Sequence, residues 1–247
     1  MCVFQRATAD NSLVDIKNKL SNIYYSFDAS AYRKLINEIA NFKLAPNEEF
    51  YIEYYNSIAL LNLGKINYQT DKSKAKSLFL IAEKECASAI ALSQKAKLSK
   101  SSQAELYAIY CDILSKKASL ETIMAISTGR KAHKAIEKAA ALDKQNAVVR
   151  LIGAIQLMHM PKVFGGDKAK SRELLNSILK LQSHRSEDPL FIPIAENAEI
   201  YGYLAQLEIL ERNIPAAESY IKKALATEPN YGYVTQDLRK QINLLEK

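Results

Sequence analysis

The chain has 247 residues, 48% of them hydrophobic, and 34 Lys+Arg against 27 Asp+Glu leave a net charge of +7. That apolar content supports a real core and excludes a globally disordered chain. Only 7 glycines and 6 prolines are present, too few for the many turns of an all-β fold. No apolar run approaches the ~20 residues needed to span a bilayer.

Residues 1–9 read as a flexible N-terminus ahead of a single helical domain over 10–247. Leu13, Ile16, Leu20 and Ile23 step by three or four and so share one helix face. Tyr32, Leu35, Ile36 and Ile39 form a second stripe between Ser30 and Phe42, and Pro46 then stops or restarts the chain. These two helices make an N-terminal pair over 10–45. A long helix over about 48–66 carries Phe50, Tyr54, Ile58, Leu61 and Leu63. An alanine-rich helix follows from Ser73 to Ser93, and a Ser/Lys connection reaches Ser102. The next helix, 103–118, presents Leu106, Ile109, Tyr110 and Ile113. Further helices are predicted over about 120–141, 146–159, 167–182, 194–212, 214–227 and 233–246. No period-two strand pattern interrupts them, and the short connections make successive helices antiparallel neighbours.

Two helices near the C-terminus fix the type of packing. Tyr201, Leu204 and Ala205 lie on one; Ala217, Ile221, Ala224 and Pro229 lie on or just after the next. Small Ala205 and Ala217 let the helices approach closely, larger neighbours fill the space around that contact, and Pro229 cannot continue the helix. This spacing resembles the tetratricopeptide repeat, with a 34-residue frame starting at Ala198. Ala205 stands where the family has Gly, Ile221 where it has an aromatic, and Glu208 where Tyr is common. A weaker frame covers 145–178 through Val148, Leu151 and Ile152, then Ser171, Leu175 and Ile178. Ala132, Ile136 and Ala139, and Ala82, Cys86 and Ala89, supply two more second-helix halves.

The resemblance implies an all-α, right-handed α-solenoid of antiparallel helix pairs with about eleven helices. Repeats would span 46–229, and a capping helix over 230–247 would carry Leu238, Ile242 and Leu245 on one side. It also implies a concave groove built by the first helix of each pair. The family's groove positions map to Asn146, Val149, Gly153 and Gln156 in one unit and to Glu199, Gly202, Gln206 and Ile209 in another, with Tyr203 beside them. The Lys/Asn set by which some members hold a C-terminal carboxylate is absent at these positions.

An irregular stretch separates the two helices of the 145–178 unit. Pro161 ends one helix, Phe164 follows, the Gly165-Gly166 pair permits backbone angles other residues avoid, and Asp167 is placed to cap the next helix. The stretch resembles an insertion in bacterial tetratricopeptide proteins, among them those associated with periplasmic TRAP-type transporters, and in the microtubule-dynamics regulator family. It is not a phosphate loop, which needs G-x-x-x-x-G-K-S/T after a strand.

Catalytic and metal-binding constellations are missing. Cys2, Cys86 and Cys111 are odd in number and far apart, which argues against a disulfide framework. His133, His159 and His184 fall on different units without metal-ligand spacing. No cofactor, metal or enzymatic activity is therefore expected. The lysines spread over many segments, and no nucleic-acid motif accompanies them. The expected function is a non-catalytic scaffold or adaptor that binds a peptide or helix of another protein in its groove; self-association is compatible with it. The insertion suggests an alternative: an exported accessory protein of a transport system, handling a small apolar ligand. Ala7-Thr8-Ala9 has the form of a signal-peptidase site, but no apolar stretch precedes it. The expected location is cytoplasmic as written, or periplasmic or lipidated if a leader was trimmed.

Overall fold

A computed structural model describes residues 11–42, 49–180 and 186–245. The 1–9 segment with Cys2 and Ala7-Thr8-Ala9, and likewise Pro46, His184 and Lys247, lie outside the described residues.

Helix follows helix throughout, and among the described residues there is no strand. Five antiparallel pairs run in chain order: α1 (Asn11–Ile23) with α2 (Ala29–Ala40), α3 (Glu49–Asn67) with α4 (Lys72–Lys95), α5 (Lys100–Ala118) with α6 (Ala125–Asp143), α7 (Ala147–His159) with α8 (Lys168–Lys180), and α9 (Asn197–Leu210) with α10 (Ile214–Thr227). A wider π-type turn, Tyr233–Leu238, then leads into α11 (Arg239–Leu245). Each pair packs on itself, and each first helix also packs on the first helix of the next pair, α1 on α3, α3 on α5, α5 on α7 and α7 on α9. The chain is thus an α-solenoid with an inner layer of first helices and an outer layer of second helices.

Local chemistry starts these helices where they start. Asp28 accepts the amides of Ser30 and Ala31 at the head of α2, Asp71 that of Lys74 at α4, and Ser99 that of Ser102 at α5. Asn146 accepts from Val148 and Val149 at α7, and Asp167 from Lys170 at α8. Each such cap satisfies amides that the helix leaves open, a contribution of about 1 kcal/mol. Small residues then set the spacing within pairs. Ala82, Cys86 and Ala89 on α4, Ala132 and Ala139 on α6, and Ala217 and Ala224 on α10 are all fully buried. A Cβ on Gly64 would collide with the fully buried Phe79 ring, so glycine sets the close spacing of α3 and α4.

Three helix starts differ from the sequence reading, the first being α5, which begins at Lys100 rather than 103 because Ser99 caps it. α6 begins at Ala125 rather than near 120, because Glu121 is drawn into a turn, where it accepts a hydrogen bond from Thr128. α9 begins at Asn197 rather than 194, because the residues before it are used as an extended, buried strap.

Candidate functional site

The inner helices do not stop at a curved trough. Their two ends meet. The Gly232 amide donates to the Tyr25 carbonyl oxygen at 2.8 Å, and the Tyr24 hydroxyl donates to Glu199 at 3.2 Å. The Tyr25 and Tyr231 rings sit edge to face with centroids 5.0 Å apart. A Cβ on Gly232 would lie 2.6 Å from the Phe27 backbone nitrogen, so only glycine permits this approach. The Tyr24–Phe27 turn is itself braced, since the Tyr32 hydroxyl lies 2.9 Å from the Ile23 carbonyl oxygen and receives the Asn62 amide at 3.1 Å. This seam closes the solenoid into a ring.

One end of the ring is plugged. The segment 186–196 crosses the starts of the inner helices, burying Leu190, Phe191, Ile192 and Ile194. Four tyrosine and glutamate side chains hold it. Tyr51 donates to Asp188 at 2.7 Å and Tyr55 to the Leu190 carbonyl oxygen at 2.7 Å, while the Ile192 amide donates to the Tyr54 oxygen at 3.2 Å. The Ser186 amide donates to Glu105, which also accepts from Asn146. The Phe191 ring lies 4.6 Å from that of Tyr54, in the range of a favourable aromatic pair.

Seam and plug together leave a cup of about 600 Å³. Its lip is formed by turns between paired helices, at Phe27, Gln69, Ser119 and Pro161. Its wall combines tyrosines (Tyr24, Tyr32, Tyr203, Tyr231, Tyr233) with six ionisable groups, Lys65, Asp112, Lys116, His159, Glu199 and Asp237. Burial pushes the Tyr203, Tyr231 and Tyr233 phenols well above their ordinary range, so they stay neutral.

The charges are unevenly matched. Lys65 Nζ pairs with Asp112 at 2.9 Å. Burial works to raise the Asp112 pKa, but Lys65 and Lys116 outweigh it and hold the carboxyl below its usual value. Glu199 accepts from the Ala195 amide at 2.9 Å and from Tyr24, and burial still raises its pKa against the pull of Lys65. The His159 ring is open to the cup yet surrounded by protein on most sides; desolvation and the Lys116 ammonium push it down to about 4. Lys116 and Asp237 make no ion pair within 4 Å among the described residues. Burial lowers the one and raises the other.

Of the groove positions read from the sequence, the structure brings Gln156, Glu199, Tyr203 and Gln206 to the cup wall. It places Asn146 in the α7 cap, bonded to Glu105, and Val149 and Ile209 in the core. Gly153 packs toward Ile136 and Leu174, and Gly202 toward Tyr231. In the insertion, Pro161 reaches the lip while Phe164 is exposed. Gly165 adopts φ +98°, Gly166 lies so close to the Met160 carbonyl that no side chain fits, and Asp167 caps α8. Sequence reasoning missed Lys65, Asp112, Lys116 and Asp237. Each lies on a helix that also has a solvent face, and nothing in the spacing says which face turns inward. It also missed the plug, although the apolar run Leu190–Ile194, punctuated by Pro189 and Pro193, is a signal of buried irregular chain.

No protein-family model and no curated protein matches the chain. Among solved structures, the Assembly Chaperone of RpL4 (Acl4), residues 1–338, aligns over 96% of this chain and 97% of its own, at 14% identity and a TM-score of 0.34. Fold and site together define a class: a helical-repeat protein whose inner layer closes around a polar, tyrosine-walled pocket.

Proposed function

We propose that the protein is a non-catalytic binding protein, built from tetratricopeptide-like helix pairs, that holds a small molecule inside its ring. The closed cup carries this reading. Its volume falls in the ~300–1,000 Å³ range of small-molecule sites, and its tyrosine rings offer apolar surface beside convergent polar groups, as such sites do.

Cys86 is fully buried and its thiol is pushed up to about 12. Among the described residues, no hydroxyl or thiol is hydrogen-bonded to a histidine, the arrangement that activates a nucleophile. Native mass spectrometry of protein purified without denaturant tests the proposal. The reading expects a small bound mass, or its capture from a metabolite extract, and loss of that mass when Ser115→Trp fills the cup. An unchanged bound mass in that variant, or a cup that never acquires one, counts against it.

A second reading, docking of a partner protein, has its own observation. Ile123 (93% exposed), Met124, Val163 (85%) and Phe164 project from the α5–α6 and α7–α8 connections, and Ile126 from the first turn of α6, at the edge where the cup opens. Exposed apolar side chains gathered in this way mark interaction surfaces. Arg130, Lys131 and Lys134 adjoin the Ile123–Ile126 part, which favours an acidic partner.

A further inference from the structure

The pocket holds two opposite charges that make no ion pair within 4 Å among the described residues; Asp112 acts on the one and Lys240 on the other only at longer range. Lys116 projects from α5 and Asp237 from the π-type turn before α11, and both line the cup. Among the described residues, neither side chain makes a hydrogen bond or an ion pair. Of the other cup charges, Lys65 pairs with Asp112 Oδ2, although Asp112 Oδ1 is buried without a hydrogen bond, and Glu199 accepts from Ala195 and Tyr24. A half-buried ammonium and a half-buried carboxylate that face one cavity unpaired are costly, because desolvation penalises both. The raised pKa of Asp237 and the lowered pKa of Lys116 record that penalty. Lys116, whose strongest opposite neighbour is Asp112, also senses Asp237 on the wall of the same cup, and no salt bridge joins the two.

We infer that the cup binds a zwitterion, specifically a free amino acid with an aromatic or large apolar side chain. The inference rests on the small-molecule reading above and names its ligand. A simple acid would satisfy Lys116 and leave Asp237 bare; an amine would do the reverse. A molecule carrying a carboxylate and an ammonium on one carbon supplies both counter-charges at once, without changing the net charge of the cup. The carboxylate accepts from Lys116 Nζ and the ammonium donates to Asp237. The side chain then lies against the rings of Tyr203, Tyr231 and Tyr233, which take an aromatic or aliphatic body by ring packing. A cup of about 600 Å³ admits such a molecule with bridging water.

Isothermal titration of the full chain tests this, after a thermal-shift screen of the twenty free amino acids selects the best binder. The selected amino acid is then compared with its methyl ester, its N-acetyl derivative and the corresponding amino alcohol. The zwitterion is expected to bind at least tenfold more tightly than each. Lys116→Met should erase its advantage over the ester, and Asp237→Asn its advantage over the N-acetyl form, with melting temperatures showing that both variants fold. Equal binding of the zwitterion and its singly charged derivatives overturns the zwitterion and leaves the small-molecule cup standing. Tighter binding of a short peptide through its C-terminus overturns it in favour of a partner's tail. No shift from any amino acid overturns it as well, and if native mass spectrometry also finds the cup empty, the small-molecule reading falls with it.

Discussion

The amide of Gly232 donates to the carbonyl oxygen of Tyr25 at 2.8 Å, joining the last inner turn of the solenoid to the first. Everything particular to this molecule follows from that contact. Without it the helix pairs form an open trough; with it they enclose a cup.

Gly232→Ala should open the ring. The new methyl would stand 2.6 Å from Phe27 Cβ and from the Phe27 amide nitrogen, part of it fixed backbone that cannot give way. Overpacking of this kind costs about 1–3 kcal/mol. The ring can relieve it by parting. Small-angle scattering should then show a radius of gyration rising from the ~18 Å expected of a compact chain of this length. An unchanged radius would mean that the seam tolerates a methyl.

The plug should behave as part of the core. Phe191→Ala removes a buried ring packed at a tilt against Tyr54 and should cost about 3–5 kcal/mol. Tyr55→Phe strips the Leu190 carbonyl of its partner and should cost about 1–3 kcal/mol. In a domain of this size each kcal/mol lowers the melting temperature by about 2–4 °C. Hydrogen exchange across 186–196 should be as slow as in the helices it touches; fast exchange there would contradict the packing.

Stability should fall between about pH 4.5 and 8 through one carboxyl. Burial, with a hydrogen bond to Glu85 and the charges of Glu85 and Glu49, raises the Glu53 pKa to about 8. The folded state therefore holds a proton that the unfolded chain releases near 4.5. The stabilisation is fully present below the unfolded value and is lost as pH rises through the folded one. Denaturant titrations of the wild type and of Glu53→Gln should converge at low pH and separate by pH 8, with the variant the more stable there. Parallel curves would show that Glu53 titrates normally.

The exposed tips are separable from the fold. Ile123→Ser with Phe164→Ser should change stability by no more than about 0.5 kcal/mol, since neither side chain is buried. If the tips form a docking surface, the same double variant should lose partners recovered by the wild type. Undiminished recovery would remove the surface from consideration.

Much of the fold was legible because helical packing writes its requirements at fixed intervals. Ala217, Ile221 and Ala224 could be read as the buried stripe of a second helix, and Asp167 as the cap of α8. The site was legible only in part. Gln156, Glu199, Tyr203 and Gln206 reach the cup because the first helix of each pair turns one face inward. Asn146, predicted for the groove, is instead consumed by the cap and by Glu105. Ring closure was not legible at all. It depends on Tyr25 meeting Gly232 across some 200 residues of accumulated curvature, and no local spacing records that sum.

Closure is measured most directly as a distance. Spin labels at Asn22→Cys and Asn230→Cys, in a Cys2→Ser background with Cys86 and Cys111 buried and unreactive, sit on either side of the seam. Pulsed electron–electron resonance should return one short, narrow distance distribution that becomes long and broad in Gly232→Ala. A long, broad distribution in the parent protein would contradict the closed ring and the cup built on it.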